Sequence, residues 1–145
     1  ERGLVTVLKA LKPEDAAMID RAADIVTTAG DDCRFLLKVK ETARQIIEVS
    51  TTIAVFREPS LFYVAVTDKA TGAYREAAPE KLLFHDDAVA LARNVKTARQ
   101  AIEIVPGTSI GAQLTAARTP STTTWSLDAF VDAERPVISG LLKFR

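Results

Sequence analysis

At 145 residues, 48% apolar and 26% charged, the chain has the size and composition of one folded domain that buries a core without cross-links, and it is too apolar to be disordered. Lys plus Arg and Asp plus Glu both number 19, so the net charge is zero; this excludes strong global attraction to nucleic acid or anionic membrane and mildly favours association. The lone cysteine, Cys33, excludes an intrachain disulfide, and no apolar run approaches the ~18 residues that span a bilayer.

The start, Glu1-Arg2-Gly3, does not read as a signal peptide. It lacks an initiator methionine and reads as a trimmed, processed or excised start. Leu4 to Leu8 reads as a short strand or entry segment. Pro13, tolerated in a first helical turn, is followed by Glu14 and Asp15 at the positive end of the helix dipole. Ala16, Ile19, Ala23 and Val26 then share one helical face, and Gly30 is a stop signal, which predicts a helix over about 13–29.

Residues 33–58 fit two periods. Cys33, Phe35, Leu37 and Val39 alternate with Arg34, Lys38 and Lys40, and Ile47 to Val55 alternate with β-branched enrichment. Leu36, Val39, Ala43 and Ile46 also match a helix. The strand reading is preferred, and it places Arg34, Lys38 and Lys40 on one face. Leu61 to Val66 predicts a strand, Asp68 to Gly72 a turn, and Ala73 to Arg75 the return strand, ended by Pro79. Asp86 or Asp87 caps a following helix with Ala88, Leu91, Ala92, Val95, Ala98 and Ile102 in its stripe. Ala101 to Val105 fits a strand, broken by Pro106-Gly107. Residues 117–124 read as a loop or edge strand, Trp125 to Phe130 as an approach to a short helix or turn, and Val137 to Phe144 as an apolar tail that packs back. One internal echo stands out: Thr42-Ala43-Arg44-Gln45 and Thr97-Ala98-Arg99-Gln100. No linker composition divides residues 1–145, so a single domain is expected. Its class is α+β, an antiparallel β-sheet with two to three packed helices.

Gly107-Thr108-Ser109-Ile110-Gly111 matches G-x-S-x-G and resembles the nucleophile elbow of α/β-hydrolases, with Ala101–Val105 as the strand before and Ala112–Arg118 as the helix after. The resemblance implies a serine hydrolase. That family places its histidine after the serine, whereas the one histidine here, His85, precedes Ser109; the chain is also short for that fold, and no glycine-rich oxyanion segment precedes the motif. His85 with Asp86 and Asp87 reads as a helix start carrying acids where the dipole favours them. One His and one Cys do not supply a zinc shell, and Cys33 lies on an apolar alternation. No catalytic residue, metal or cofactor is therefore predicted. Arg93, Lys96 and Arg99 recur every three residues along the predicted helix 86–100 and, with Lys38 and Lys40 on the strand, are the candidate contacts for a partner or RNA. No aromatic residue is interleaved for base stacking.

The expected function is a non-catalytic, self-assembling structural subunit, such as a small coat, tail or scaffold protein of a particle (a virion among them), and a homo-oligomer. Scarce catalytic residue types, balanced charge and Thr-rich β segments that can pair with a neighbour motivate it. The alternative is a protein- or RNA-binding module using the basic helix; a hydrolase using Ser109 ranks third. No membrane partner is expected, and localisation is open.

Overall fold

The computed structural model describes residues 2–54, 58–136 and 138–139. The chain opens with a helical hairpin. Helix α1 (Arg2–Leu11) leads through a 3₁₀ turn (Pro13–Asp15) into α2 (Ala16–Ala29). The helix expected over 13–29 is present, but the segment Leu4 to Leu8 is helix, not strand. The reason lies in its continuation: Leu4, Val7, Leu8 and Leu11 form an i, i+3, i+4, i+7 series that a five-residue window cuts short. Gly30 ends α2 with φ of 56°, a backbone that glycine adopts without strain, and its N–H donates to the Val26 carbonyl.

Five long or short strands follow: β1 (Arg34–Glu41), β2 (Gln45–Thr52), β3 (Ser60–Asp68), β4 (Tyr74–Ala77) and β5 (Glu80–Leu82). Helix α3 (His85–Leu91) comes next, then β6 (Asn94–Thr97), β7 (Ala101–Val105), α4 (Ile110–Arg118), β8 (Thr124–Ser126), β9 (Phe130–Asp132) and β10 (Ile138–Ser139). The fold is α+β, with mostly antiparallel pairing and four α-helices among the described residues.

The larger sheet runs β10-β1-β2-β3-β4-β9, with β5 also paired to β3. Only the β1–β10 pair is parallel among these. Strands β6-β7-β8 make a second, antiparallel sheet. One face of the large sheet sends Ile47, Val49, Phe62, Val64, Val66 and Ala77 into a buried cluster. Leu82, Ala88 and Leu91 join it, as do Val95, Ile102, Ile104 and Trp125 of the second sheet. A single apolar cluster thus joins both sheets through α3.

The 61–77 hairpin forms as expected. Asp68 Oδ1 accepts from the N–H groups of Ala70 and Thr71, and Gly72 takes φ of 74°. These hydrogen bonds, led by Thr71, hold the Asp68 carboxyl below its ordinary range. The helix expected through 86–100 instead stops at Leu91. Val95 pairs with Ile104 and Thr97 with Ile102, so strand pairing takes over where apolar spacing fits either period. Ala98, which a helical stripe would bury, sits exposed at the hairpin tip.

The two TARQ echoes both fall at strand-to-strand turns, one residue out of register with each other. Thr42 to Arg44 turns β1 into β2, and Ala98 to Gln100 turns β6 into β7. In each, the first turn N–H donates over 2.8 Å to the carbonyl three residues on. Lys40 Nζ, at the first hairpin, donates to the Val95 carbonyl at the second over 3.0 Å.

Strands β9 and β10 stand at opposite edges of the large sheet. Five strand spacings separate them, about 24 Å in a flat sheet. The six residue steps from Asp132 to Ile138 reach only about 21 Å fully extended. The sheet must therefore curl around residues 133–136, which cross its second face as a strap. Apart from Ile138–Ser139, the apolar tail 137–144 lies outside the described residues.

Candidate functional site

Under the strap, the second face of the sheet is polar yet buried. Glu48, Ser50 and Thr52 of β2, Tyr63 and Thr67 of β3, and Tyr74 of β4 are all less than a tenth exposed. Arg135 of the strap donates from Nη2 to both Glu48 oxygens, at 2.8 and 2.7 Å, and its guanidinium lies 5.4 Å from the Tyr74 ring. Arg34 forms an ion pair with Glu76 and stacks 3.5 Å over the Tyr63 ring. The Tyr74 hydroxyl donates to Glu76 Oε2 over 2.9 Å. Burial, aided by the Glu76 carboxylate, pushes the Tyr74 phenol far above its ordinary range; burial also raises Tyr63, with Arg34 opposing. Phenols whose ionisation burial disfavours stay protonated near neutrality, and the ion pairs and hydrogen bonds around them hold this face together. An open hollow of about 350 Å³ beside Arg34 is lined by Thr28, Asp32, Tyr63 and Pro136.

The predicted basic contacts are partly brought together. Lys40 reaches Val95, so β1 brings Lys40 beside β6, which carries Lys96. Arg93 follows α3, Lys96 lies on β6 opposite Glu103, and Arg99 lies in the β6–β7 turn. All three are exposed, but they do not form a helical stripe. Lys38 and Lys40 pair across from Val49 and Ile47, whose side chains face the core, whereas Arg34 pairs with Thr52 on the strap face. A bulge between Leu36 and Lys38 flips the alternation, which corrects the expectation that Arg34 shares their face.

Ser109 is a helix cap. Its Oγ accepts from the Ala112 N–H at 3.2 Å, and its backbone opens α4. Gly107 lies close against α3: a Cβ there would stand 3.4 Å from both the Ala90 carbonyl oxygen and the Ala112 methyl. The strand and helix that flank G-x-S-x-G are both present, and what the serine does between them is to satisfy a helix end. Ser109→Ala is expected to lower stability by about 1 kcal/mol, measured by urea unfolding, and wild-type Ser109 should not react with a phosphonylating probe.

His85 opens α3 and lies 3.4 Å from the exposed Asp86 carboxylate. Cys33 is buried, and burial raises its thiol, away from the thiolate that a nucleophile needs. Among the described residues, no group of three His, Cys, Asp or Glu side chains is placed to hold a metal ion. No described helix is long and apolar enough to cross a membrane.

The surface that sequence reading missed is the hairpin. None of the side chains from Gly3 to Ala29 is fully buried. Leu4 is 66% exposed, Leu11 70% and Met18 64%, and Val7, Leu8 and Val26 are exposed as well. The Lys9–Asp20 ion pair, 2.5 Å long, bridges the polar side of the two helices. In α1, Leu4, Val7, Leu8 and Leu11 lie away from Lys9 around the helix; in α2, Met18, Ala22 and Val26 lie away from Asp20. The hairpin thus has one polar side and one apolar side, and the apolar side faces solvent. Comparison with protein-family models, with curated proteins and with solved structures finds no match.

Proposed function

We propose that this chain is a non-catalytic structural subunit that self-assembles, of the coat, tail or scaffold type that builds a particle. The observation that carries the reading is the solvent-facing apolar side of the α1–α2 hairpin. Fully burying one leucine or valine is worth roughly 1.5–3 kcal/mol over leaving it exposed, so several on adjoining turns favour a covered state. Contiguous exposed patches of this kind mark interaction surfaces in soluble proteins. The zero net charge supports association by removing the repulsion between copies.

A partner- or RNA-binding role for Arg93, Lys96, Arg99, Lys38 and Lys40 has less support. Lys40 is engaged by Val95, and Glu103 stands opposite Lys96. Any RNA contact there would weaken steeply with salt.

Size-exclusion chromatography with light scattering tests the main reading. The chain is expected to elute as a dimer or larger closed assembly at tens of micromolar and to keep that size in high salt, because the contact is apolar. A monodisperse monomer at high concentration would remove the proposal, and co-eluting absorbance at 260 nm would move the basic residues to the front.

A further inference from the structure

We infer that the apolar side of the hairpin is covered by the same hairpin of a second copy, closing a four-helix bundle in which α1 of each chain lies on α2 of the other. This rests on the self-assembly reading and specifies its interface.

Three observations favour a second copy. The first is shape. An apolar side made of two adjacent antiparallel helices is a flat layer, and its natural complement is another two-helix layer at a shallow crossing angle. A two-fold axis supplies that layer from an identical chain, with the same patch on both sides.

The second is charge. Residues 2–12 carry Arg2, Lys9 and Lys12 and no carboxylate, whereas residues 14–29 carry Glu14, Asp15, Asp20 and Asp24 against Arg21 alone. The hairpin is therefore basic along α1 and acidic along α2. Lys9 pairs with Asp20 and Lys12 with Glu14 inside the hairpin, so the contrast acts between whole helices and not at the rim: α1 on the other copy's α2 sets opposite net charges together, α1 on α1 like ones. The acidic α2 also argues against a lipid surface, since helices that lie on membranes carry Lys and Arg on their polar flank.

The third is extent. Helices of 10 and 14 residues run about 15 and 21 Å, with axes about 9 Å apart. Covering one side of such a pair buries on the order of 600 Å² per copy, at the lower end of stable specific interfaces. The expected dimer is thus reversible, forming in the micromolar range.

The test uses the full chain. Leu8→Glu with Leu11→Glu places two carboxylates on the apolar side, where neither leucine is buried within the chain, so far-UV circular dichroism should be unchanged. Light scattering should shift from dimer to monomer. An unchanged assembly in this variant would overturn the bundle and leave self-assembly standing; a monomeric wild type would overturn both.

Cross-linking reads the arrangement. A Leu8→Cys chain mixed with an Ala22→Cys chain and mildly oxidised should give mainly the mixed disulfide, since buried Cys33 competes poorly. Dominant pairing of Leu8→Cys with itself would overturn the α1-on-α2 arrangement. Flotation of a monomeric wild type with vesicles of anionic phospholipid, lost in the double glutamate variant, would overturn the inference in favour of a membrane surface.

Discussion

Arg34→Met should lower the stability of the chain by about 3 kcal/mol, read as a drop in the urea midpoint. Arg34 and Glu76 are both under a fifth exposed, at 16% and 13% for their side chains. The substitution keeps the apolar stem but removes the charge that Glu76 faces. The carboxylate is then left mostly buried and, among the described residues, accepting only from the Tyr74 hydroxyl. Breaking a buried pair by removing one partner costs about 3–5 kcal/mol. The lower figure applies because both side chains keep partial exposure and an open hollow lies beside Arg34. The cation stacked on Tyr63 is lost as well. Adding Glu76→Gln to the same chain should recover most of the loss, because a neutral amide is far cheaper to bury than a lone charge. A loss below 1 kcal/mol for Arg34→Met, or no recovery in the double variant, would show that the pair is solvated.

The same face predicts alkaline unfolding. The phenols of Tyr63 and Tyr74 ionise less readily in the folded chain than in the unfolded one, because burial disfavours the phenolate and Glu76 adds repulsion at Tyr74. The sign follows from linkage. Below about pH 10, the ordinary phenol value, both states keep their protons and the stability is complete. Above it the unfolded chain releases protons that the folded chain retains, so stability falls as pH rises toward the folded values. The limiting slope is about 1.4 kcal/mol per pH unit for each phenol. Urea midpoints at pH 9, 10 and 11 should fall progressively, and Tyr74→Phe should lose less between pH 10 and 11 than the wild type. Equal losses in both chains would assign the alkaline sensitivity to other groups.

Strands β2 and β3 were legible because their signal is local, although a helix through 36–50 competed for the first of them; β5 and β9 were not. Ile47 to Thr52 and Leu61 to Val66 carry β-branched and aromatic residues, and Asp68 to Gly72 spells its own turn. Two-sided burial was not legible: Glu48 and Tyr63 look like solvent-face residues until Arg135 of the strap pairs with the first and Arg34 stacks on the second, and Arg135 lies about ninety positions from Glu48. The segment from Ala88 to Ile102 misled because Ala88, Leu91, Ala92 and Val95 are buried under either geometry. Only pairing with β7, a tertiary fact, selects strand after Leu91. The basic residues were visible as charges, yet their grouping depends on a one-residue bulge that no periodicity announces. The hairpin's apolar side was within reach: extending the window from Leu8 to Leu11 completes the helical series.

The strap also bears on timing. β1 and β10 are parallel neighbours, yet about a hundred residues separate Arg34 from Ile138. During synthesis, β1 to β4 are complete long before the residues that close the sheet leave the ribosome. Throughout that interval Glu48 lacks Arg135, the outer edge of β1 is bare, and the second face is open to whatever is nearby. Contacts this distant in sequence form late and slowly. A nascent chain of this kind is therefore exposed to mispairing and to chaperone capture from the completion of β4 until β10 has emerged, and the crossing of the strap is the event that ends that exposure.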